Sequence, residues 1–222
     1  MKRLLLSLSF IISQLSLSSV AAQEVLMETS EGNIRIQLYN ETPLHRDNFL
    51  RLVKAHYYDS LLFHRVIKNF MIQGGNRNTR QAEFTPEFAN LCDSLDYTIE
   101  AEFRLPKLFH KRGVIAAARE GDDVNPQKRS SSTQFYFVWG RKYSERAMEF
   151  TESRLDIELT PEMREAYMTV GGTPHLDGSY TVFGEIVEGL DVVERIQNVE
   201  TDESDRPLKP VMIIKATVVK EP

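Results

Sequence analysis

One cysteine, Cys92, is all the 222-residue sequence contains. An internal disulfide is therefore unavailable, and with no activating base nearby in sequence the thiol reads as inert. No cysteine stands near Ala22, so a lipid-anchored N-terminus is not expected either. Beyond Arg3 there is no dense lysine or arginine run, which argues against nucleic acid and anionic membrane as partners. His45, His56, His110 and His175 lack the mutual spacing of metal ligands, so neither a metal nor another cofactor is expected. His64 has no serine or cysteine nucleophile motif beside it and reads as a packed side chain rather than a general base. There is no internal repeat of solenoid or propeller period.

Long apolar runs are missing too, and the nearest approach to one is informative. Lys2 and Arg3 precede an apolar stretch, Leu4 to Val20, that is broken by Ser7, Ser9, Ser13, Gln14, Ser16 and Ser18 and ends in Ala21 and Ala22. Such a segment is too short and too polar for a stable membrane span, and it has the charge order and small-residue end of a secretory signal peptide. Residues 1–22 are thus expected to be removed, leaving residues 23–222 as one exported domain, periplasmic if the source is Gram-negative and otherwise secreted. Loss of Lys2 and Arg3 leaves 25 basic against 32 acidic side chains, a formal charge of −7. At 41% hydrophobic and 27% charged residues, the mature chain has the composition to bury one good-sized core.

Two alternating runs flank Ser30-Glu31-Gly32-Asn33: Val25, Met27 and Thr29 before it, Ile34, Ile36 and Leu38 after it. That pattern predicts a β-hairpin. Thr42-Pro43 then opens a helix of about three turns with His45, Phe49, Leu52, Val53 and His56 on one face. Leu62 to Ile67 and Phe70 to Gln73 read as paired strands. Tyr97 to Phe103, Val114 to Ala118, Gln134 to Trp139, Tyr180 to Val187 and Val211 to Val219 read as further strands of an antiparallel sheet or barrel. Two more helices are predicted, one from Thr160-Pro161-Glu162 to about Met168 and one over Asp191 to Gln197. Thr201 to Arg206 is a short charged turn.

Four blocks occur in order: Phe63-His64-Arg65-Val66-Ile67, Phe70-Met71-Ile72-Gln73-Gly74-Gly75, Thr133-Gln134-Phe135-Tyr136-Phe137, and Leu176-Asp177-Gly178-Ser179-Tyr180-Thr181-Val182-Phe183-Gly184. Together they resemble the cyclophilin-type peptidyl-prolyl cis-trans isomerases over nearly all of residues 24–220. The resemblance implies a mainly β fold, an eight-stranded antiparallel barrel capped by two helices, with its groove on the outer surface. It implies Arg65, Gln73 and Gln134 as the catalytic set, and Phe70, Met71, Ala118, Arg119, Tyr136, His175, Leu176 and Tyr180 as the substrate-binding residues. Arg119 stands where many members have asparagine, His175 where many have tryptophan, and Tyr136 and Tyr180 where the best-known members have phenylalanine and histidine. Gln81 to Leu95 replaces a glycine-rich turn and reads as an atypical loop. Residues 141–170 form an insertion in place of a short connection, carrying the helix opened at Thr160.

The chemistry implied is rotation about an Xaa-Pro bond, opposed by about 18–20 kcal/mol of amide resonance. Such a reaction uses neither nucleophile nor metal. A fixed cationic donor aimed at the twisting prolyl nitrogen stabilises the twisted state over the planar one, and the rigid, always protonated guanidinium of Arg65 suits that role. Strand alternation puts Gln73 on the face of Met71, where its amide is available to the guanidinium or a substrate carbonyl. Proline-containing polypeptides are the expected partners, the protein working as a monomer. The alternative reading is a proline-peptide binding or chaperone module with weak or no turnover.

Overall fold

A computed structural model describes residues 22–155 and 157–220; the segment expected to be a signal peptide, but for Ala22, lies outside the described residues. The hairpin forms as its alternation predicts. Strands β1 (Glu24–Thr29) and β2 (Gly32–Leu38) pair in antiparallel register with Val25, Met27, Thr29, Ile34, Ile36 and Leu38 all turned inward. The remaining strands are β3 (Leu61–Leu62), β4 (Arg65–Ile67), β5 (Met71–Gly74), β6 (Thr98–Ile99), β7 (Val114–Ala117), β8 (Ser130–Ser131), β9 (Phe135–Val138), β10 (Val182–Glu188) and β11 (Met212–Lys220). Nine of them make one curled sheet in the order β3-β11-β1-β2-β10-β7-β9-β5-β4, every pairing antiparallel, while β6 and β8 pair apart from it.

The count of nine, where eight strands were expected, has a specific cause. The run read as one strand from Leu62 to Ile67 is divided at Phe63-His64, and its halves lie at opposite ends of the sheet. The Phe63 amide donates to the Val211 carbonyl (2.9 Å) beside β11, and the next amide, that of His64, donates to Gln73 on β5 (3.0 Å). The chain itself therefore closes the sheet, so that neither edge strand is left as a free template.

Closure separates two apolar layers. The lumen holds Ile34, Ile36, Ile72, Phe135, Phe137 and Phe183, capped by helices α1 (Pro43–Lys54) and α5 (Leu190–Gln197). Met71, Val114, Ala116, Tyr136, Val138 and Val182 form a second cluster. Strands β7 and β9 are buried at every position, because alternate residues serve one cluster or the other.

Helix α1 departs from expectation at both ends. Pro43 is its first residue, but the Thr42 side chain makes no capping bond; instead the Leu44 and His45 amides donate to the Glu102 carboxylate (3.2 and 3.0 Å). The His45 ring bridges the same carboxylate (2.7 Å) and the Ser130 hydroxyl (2.9 Å), so the cap comes from a segment 57 residues away. His56 lies beyond the helix end with φ of 55° and is exposed. The stretch read as a loop from Gln81 to Leu95 contains helix α2 (Pro86–Asp93), capped by the Thr85 hydroxyl and anchored by Phe88 and Cys92. Burial raises the Cys92 thiol pKa, in keeping with an inert role.

The insertion is a helical hairpin rather than one helix. Helices α3 (Glu145–Glu152) and α4 (Pro161–Thr169), each capped by a hydroxyl at its N-terminus, pack around Tyr143, Met148, Met163 and Tyr167, with Leu105 and Phe109 of the barrel against them. Its two ends meet where Gly140 (φ 63°) crosses Gly172, so closely that a Cβ on Gly140 would lie 2.2 Å from the Gly172 carbonyl oxygen. A buried polar chain ties the hairpin to the barrel. The Tyr167 hydroxyl donates to Asp177, whose other oxygen accepts the His110 amide and Nδ1 (both 2.8 Å). With its proton on Nδ1, the imidazole presents Nε2 to the Tyr136 hydroxyl at 3.0 Å. Tyr167→Phe strips Asp177 of one buried donor and is expected to cost about 1–3 kcal/mol of stability, read from the denaturant midpoint at unchanged m-value.

Candidate active site

Sheet register builds the centre of the site. Arg65 faces Gln73 across β4 and β5, Gln73 faces Tyr136 across β5 and β9, and Tyr136 faces Ala116 across β9 and β7. The first three thus stand in one row on the outer face. Phe70 precedes β5 in a tight turn, where Asn69 has φ of 59° and the Phe70 amide donates to Ile67 (3.0 Å). Freed from strand alternation, Phe70 can share a pocket with its neighbour Met71. Arg65, Phe70, Met71, Gln73, Ala118, Arg119, Tyr136, Leu176 and Tyr180 line a cavity of about 170 Å³, sized for a small apolar ring.

Two of the eleven expected site residues stand outside that cavity. Gln134 lines a larger cavity of about 770 Å³ that shares Gln73, Ala118 and Arg119 with the first. It remains tied to the row, because the Gln73 side-chain amide donates to its Oε1 (3.1 Å). Gly75 makes that approach possible: its φ is 91°, and a Cβ there would fall 2.2 Å from the Thr133 carbonyl oxygen. His175 sits behind Phe70, its ring stacked on the phenyl at 5.5 Å between centroids, and so backs the pocket wall without lining it.

The two arginines of the pocket differ in freedom. Arg119 has a side chain only 4% exposed, with Nε donating to the Ser179 carbonyl (2.7 Å), an ion pair to Asp122 (2.6 Å) and its guanidinium 4.5 Å from the Tyr180 ring centroid. That cation is committed to structure. The Arg65 side chain is 47% exposed and, among the described residues, is restrained through a single long contact, Nε to Asp205 Oδ2 at 3.3 Å, which leaves its terminal nitrogens uncommitted. Asp205 went unnoticed in the sequence. It lies 140 residues from Arg65 in the charged turn after α5, held at φ of 60° while the Val66 amide donates to its carbonyl (2.8 Å). His110, Asp177 and Tyr167 were missed likewise; the hydroxyl that sets Tyr136 and Tyr167 apart from phenylalanine was the only available signal.

His64, between the closing amide bond and Arg65, is partly buried, its Nδ1 has no hydrogen-bond partner among the described residues, and burial holds its imidazole below the ordinary value. An unfolded His64 therefore binds a proton at a pH where the native one does not, so stability rises with pH through the window below about 6.5. Urea midpoints are expected to fall from about pH 7 to about pH 5, and less steeply in His64→Gln than in the parent protein.

Comparison with known proteins bears on what this arrangement does. The family model described as "Cyclophilin type peptidyl-prolyl cis-trans isomerase/CLD" matches residues 24–218. The chain is 33% identical over 197 residues to the peptidyl-prolyl cis-trans isomerase ppi1 of Schizosaccharomyces pombe, covering 88% of this chain and 98% of that protein. It is 32% identical over 203 residues to peptidyl-prolyl cis-trans isomerase-like 1 of Neurospora crassa, covering 90% and 96%. A crystal structure of a Cryptosporidium parvum cyclophilin type isomerase superposes with a TM-score of 0.62 at 22% identity, over 91% of this chain and all of that one. A second structure of that protein, in the presence of the dipeptide Ala-Pro, gives the same score at 21% identity.

Proposed function

Since the chain belongs to the cyclophilin-type peptidyl-prolyl cis-trans isomerases and is an enzyme of that class, we propose that Arg65 drives its rotation of Xaa-Pro bonds without covalent chemistry. The pyrrolidine ring seats among Phe70, Met71, Tyr136 and Leu176, which anchors one side of the bond while the preceding residue turns. As resonance breaks, the prolyl nitrogen gains a lone pair, and the guanidinium donates to it more strongly than to the planar amide. Gln73 and Gln134, already joined through their side chains, hold the substrate backbone in place. Turnover of about 10³ s⁻¹ requires a barrier near 13 kcal/mol, roughly 6 below the uncatalysed one, which oriented donors in a desolvated pocket supply.

The observation that carries this reading is the contrast between the two cations. Arg119 spends its donors on Ser179, Glu120 and Asp122, whereas Arg65 opens onto the pocket from the row it shares with Gln73 and Tyr136. In a protease-coupled assay of Xaa-Pro peptides, Arg65→Ala is expected to lower kcat/KM by about 10²–10³. Arg65→Lys should recover little of it, since a mobile point charge replaces a rigid fork. Rates for Arg65→Ala equal to the parent protein's would remove Arg65 from the mechanism.

The clients are proposed to be exported polypeptides whose folding waits on prolyl isomerisation. Support comes from the N-terminal pattern of Lys2, Arg3, a serine-broken apolar run and Ala21-Ala22. Intact-mass measurement of protein recovered from the exported fraction of its own host is expected to show a chain beginning at Gln23. Retention of the full-length chain in the cytoplasm contradicts the assignment.

A further inference from the structure

Behind Phe70, away from the proline pocket, the turn between β4 and β5 and the base of the insertion enclose a second polar cavity of about 360 Å³. Its walls include Lys68 from the turn, Arg141 and Tyr143 from the insertion, and Thr173 and His175 from the segment that follows. No carboxylate is among its lining residues. In a chain of net charge −5, that is a local reversal of sign.

The two cations here are uncommitted. Lys111 is paired with Glu185 (2.9 Å) and Arg164 with both Glu145 and Glu152, yet neither Lys68 nor Arg141 makes an ion pair among the described residues. Both are exposed, and the Arg141 guanidinium is steadied 5.1 Å from the centroid of the Tyr143 ring. Deeper in, Thr173 is only 2% exposed and its hydroxyl has no hydrogen-bond partner among the described residues. His175, held below its ordinary value by burial and by nearby His110, is mainly neutral near pH 7 and still offers one N–H.

Phe70 is common to this cavity and to the proline pocket. A chain advances about 3.3–3.6 Å per extended residue, so a polypeptide with its proline ring against one side of Phe70 reaches the other side within about two residues. We propose that the cavity is a subsite for an acidic side chain of the polypeptide substrate, close in sequence to the isomerised bond. The assignment rests on the isomerase reading and adds to it a substrate preference supplied by the insertion. Complementary charge selects the occupant: converging cations and neutral donors, with no competing carboxylate, suit an aspartate or glutamate.

The test walks a single glutamate through the two positions on each side of an Xaa-Pro bond and compares each peptide with its glutamine counterpart. At one position at least, the glutamate peptide is expected to show kcat/KM about three- to tenfold above the glutamine peptide at low ionic strength, the ratio shrinking as salt is added. In Lys68→Gln/Arg141→Gln the ratio should fall to about one, and because it is taken within each protein, any general loss of activity cancels. A ratio of one at every position in the parent protein, or a preference that survives in the double variant, overturns the subsite. Fluorescence titration of the same peptides reads the preference as a Kd ratio without catalysis. If no peptide is turned over, the isomerase reading fails while the titration still decides the subsite by the same criterion.

Discussion

The two amide bonds at Phe63 and His64 are the constraint from which the functional surface follows. One amide reaches Val211 just before the start of β11 and the next reaches β5, so a single peptide link joins the two ends of the sheet. Once the sheet is closed, inward and outward faces are settled for every strand, since side chains alternate and a slip of one residue would exchange them. Arg65, Gln73 and Tyr136 consequently stand in one outward row, while Val66, Ile72, Phe135 and Phe137 fill the lumen. The covered lumen carries stability, and the outer face of β5, β7 and β9 is released to form a pocket.

Within that pocket, the division between structural and available charge is drawn by burial. Arg119 occupies the same wall as Arg65, but its guanidinium is spent on backbone carbonyls, Asp122 and the face of Tyr180. A cation so placed stabilises its surroundings and has little to offer a ligand. Among the described residues Arg65 is held by Asp205 alone, loosely enough to be redirected. An arginine in place of the family's usual asparagine is therefore compatible with the site, because it folds away into the loop it braces.

The insertion is integrated with the barrel by three physical means. Its core of Met148, Met163 and Tyr167 packs against Leu105 and Phe109, its ends are pinched at Gly140 and Gly172, and the chain Tyr167-Asp177-His110-Tyr136 runs from it to the pocket wall. The tyrosine that departs from the family's phenylalanine is the one that terminates this chain. Burial raises the pKa of both Tyr136 and Tyr167, so their hydroxyls stay protonated as the donors this chain requires.

Much of this was legible in the sequence because it depends on local pattern. Alternation at Val25-Met27-Thr29 and Ile34-Ile36-Leu38 suffices for the hairpin, and Thr160-Pro161-Glu162 carries its own cap. The motif blocks around Arg65, Gln73 and Tyr136 supply residues that the sheet register sets side by side along one cavity. Helices α2 and α3 escaped notice although Thr85-Pro86 and Ser144-Glu145 are sound start signals, because each is only eight residues long and buries too few side chains to show a period. The Glu102 cap on α1, the Asp205 tether on Arg65 and the division of Leu62–Ile67 between two sheet edges were decided by tertiary structure alone. Each depends on a contact between groups dozens of residues apart, Glu102 with His45, Asp205 with Arg65 and Val211 with Phe63, where spacing carries no periodic signal and only closure of the barrel brings the partners within hydrogen-bonding distance.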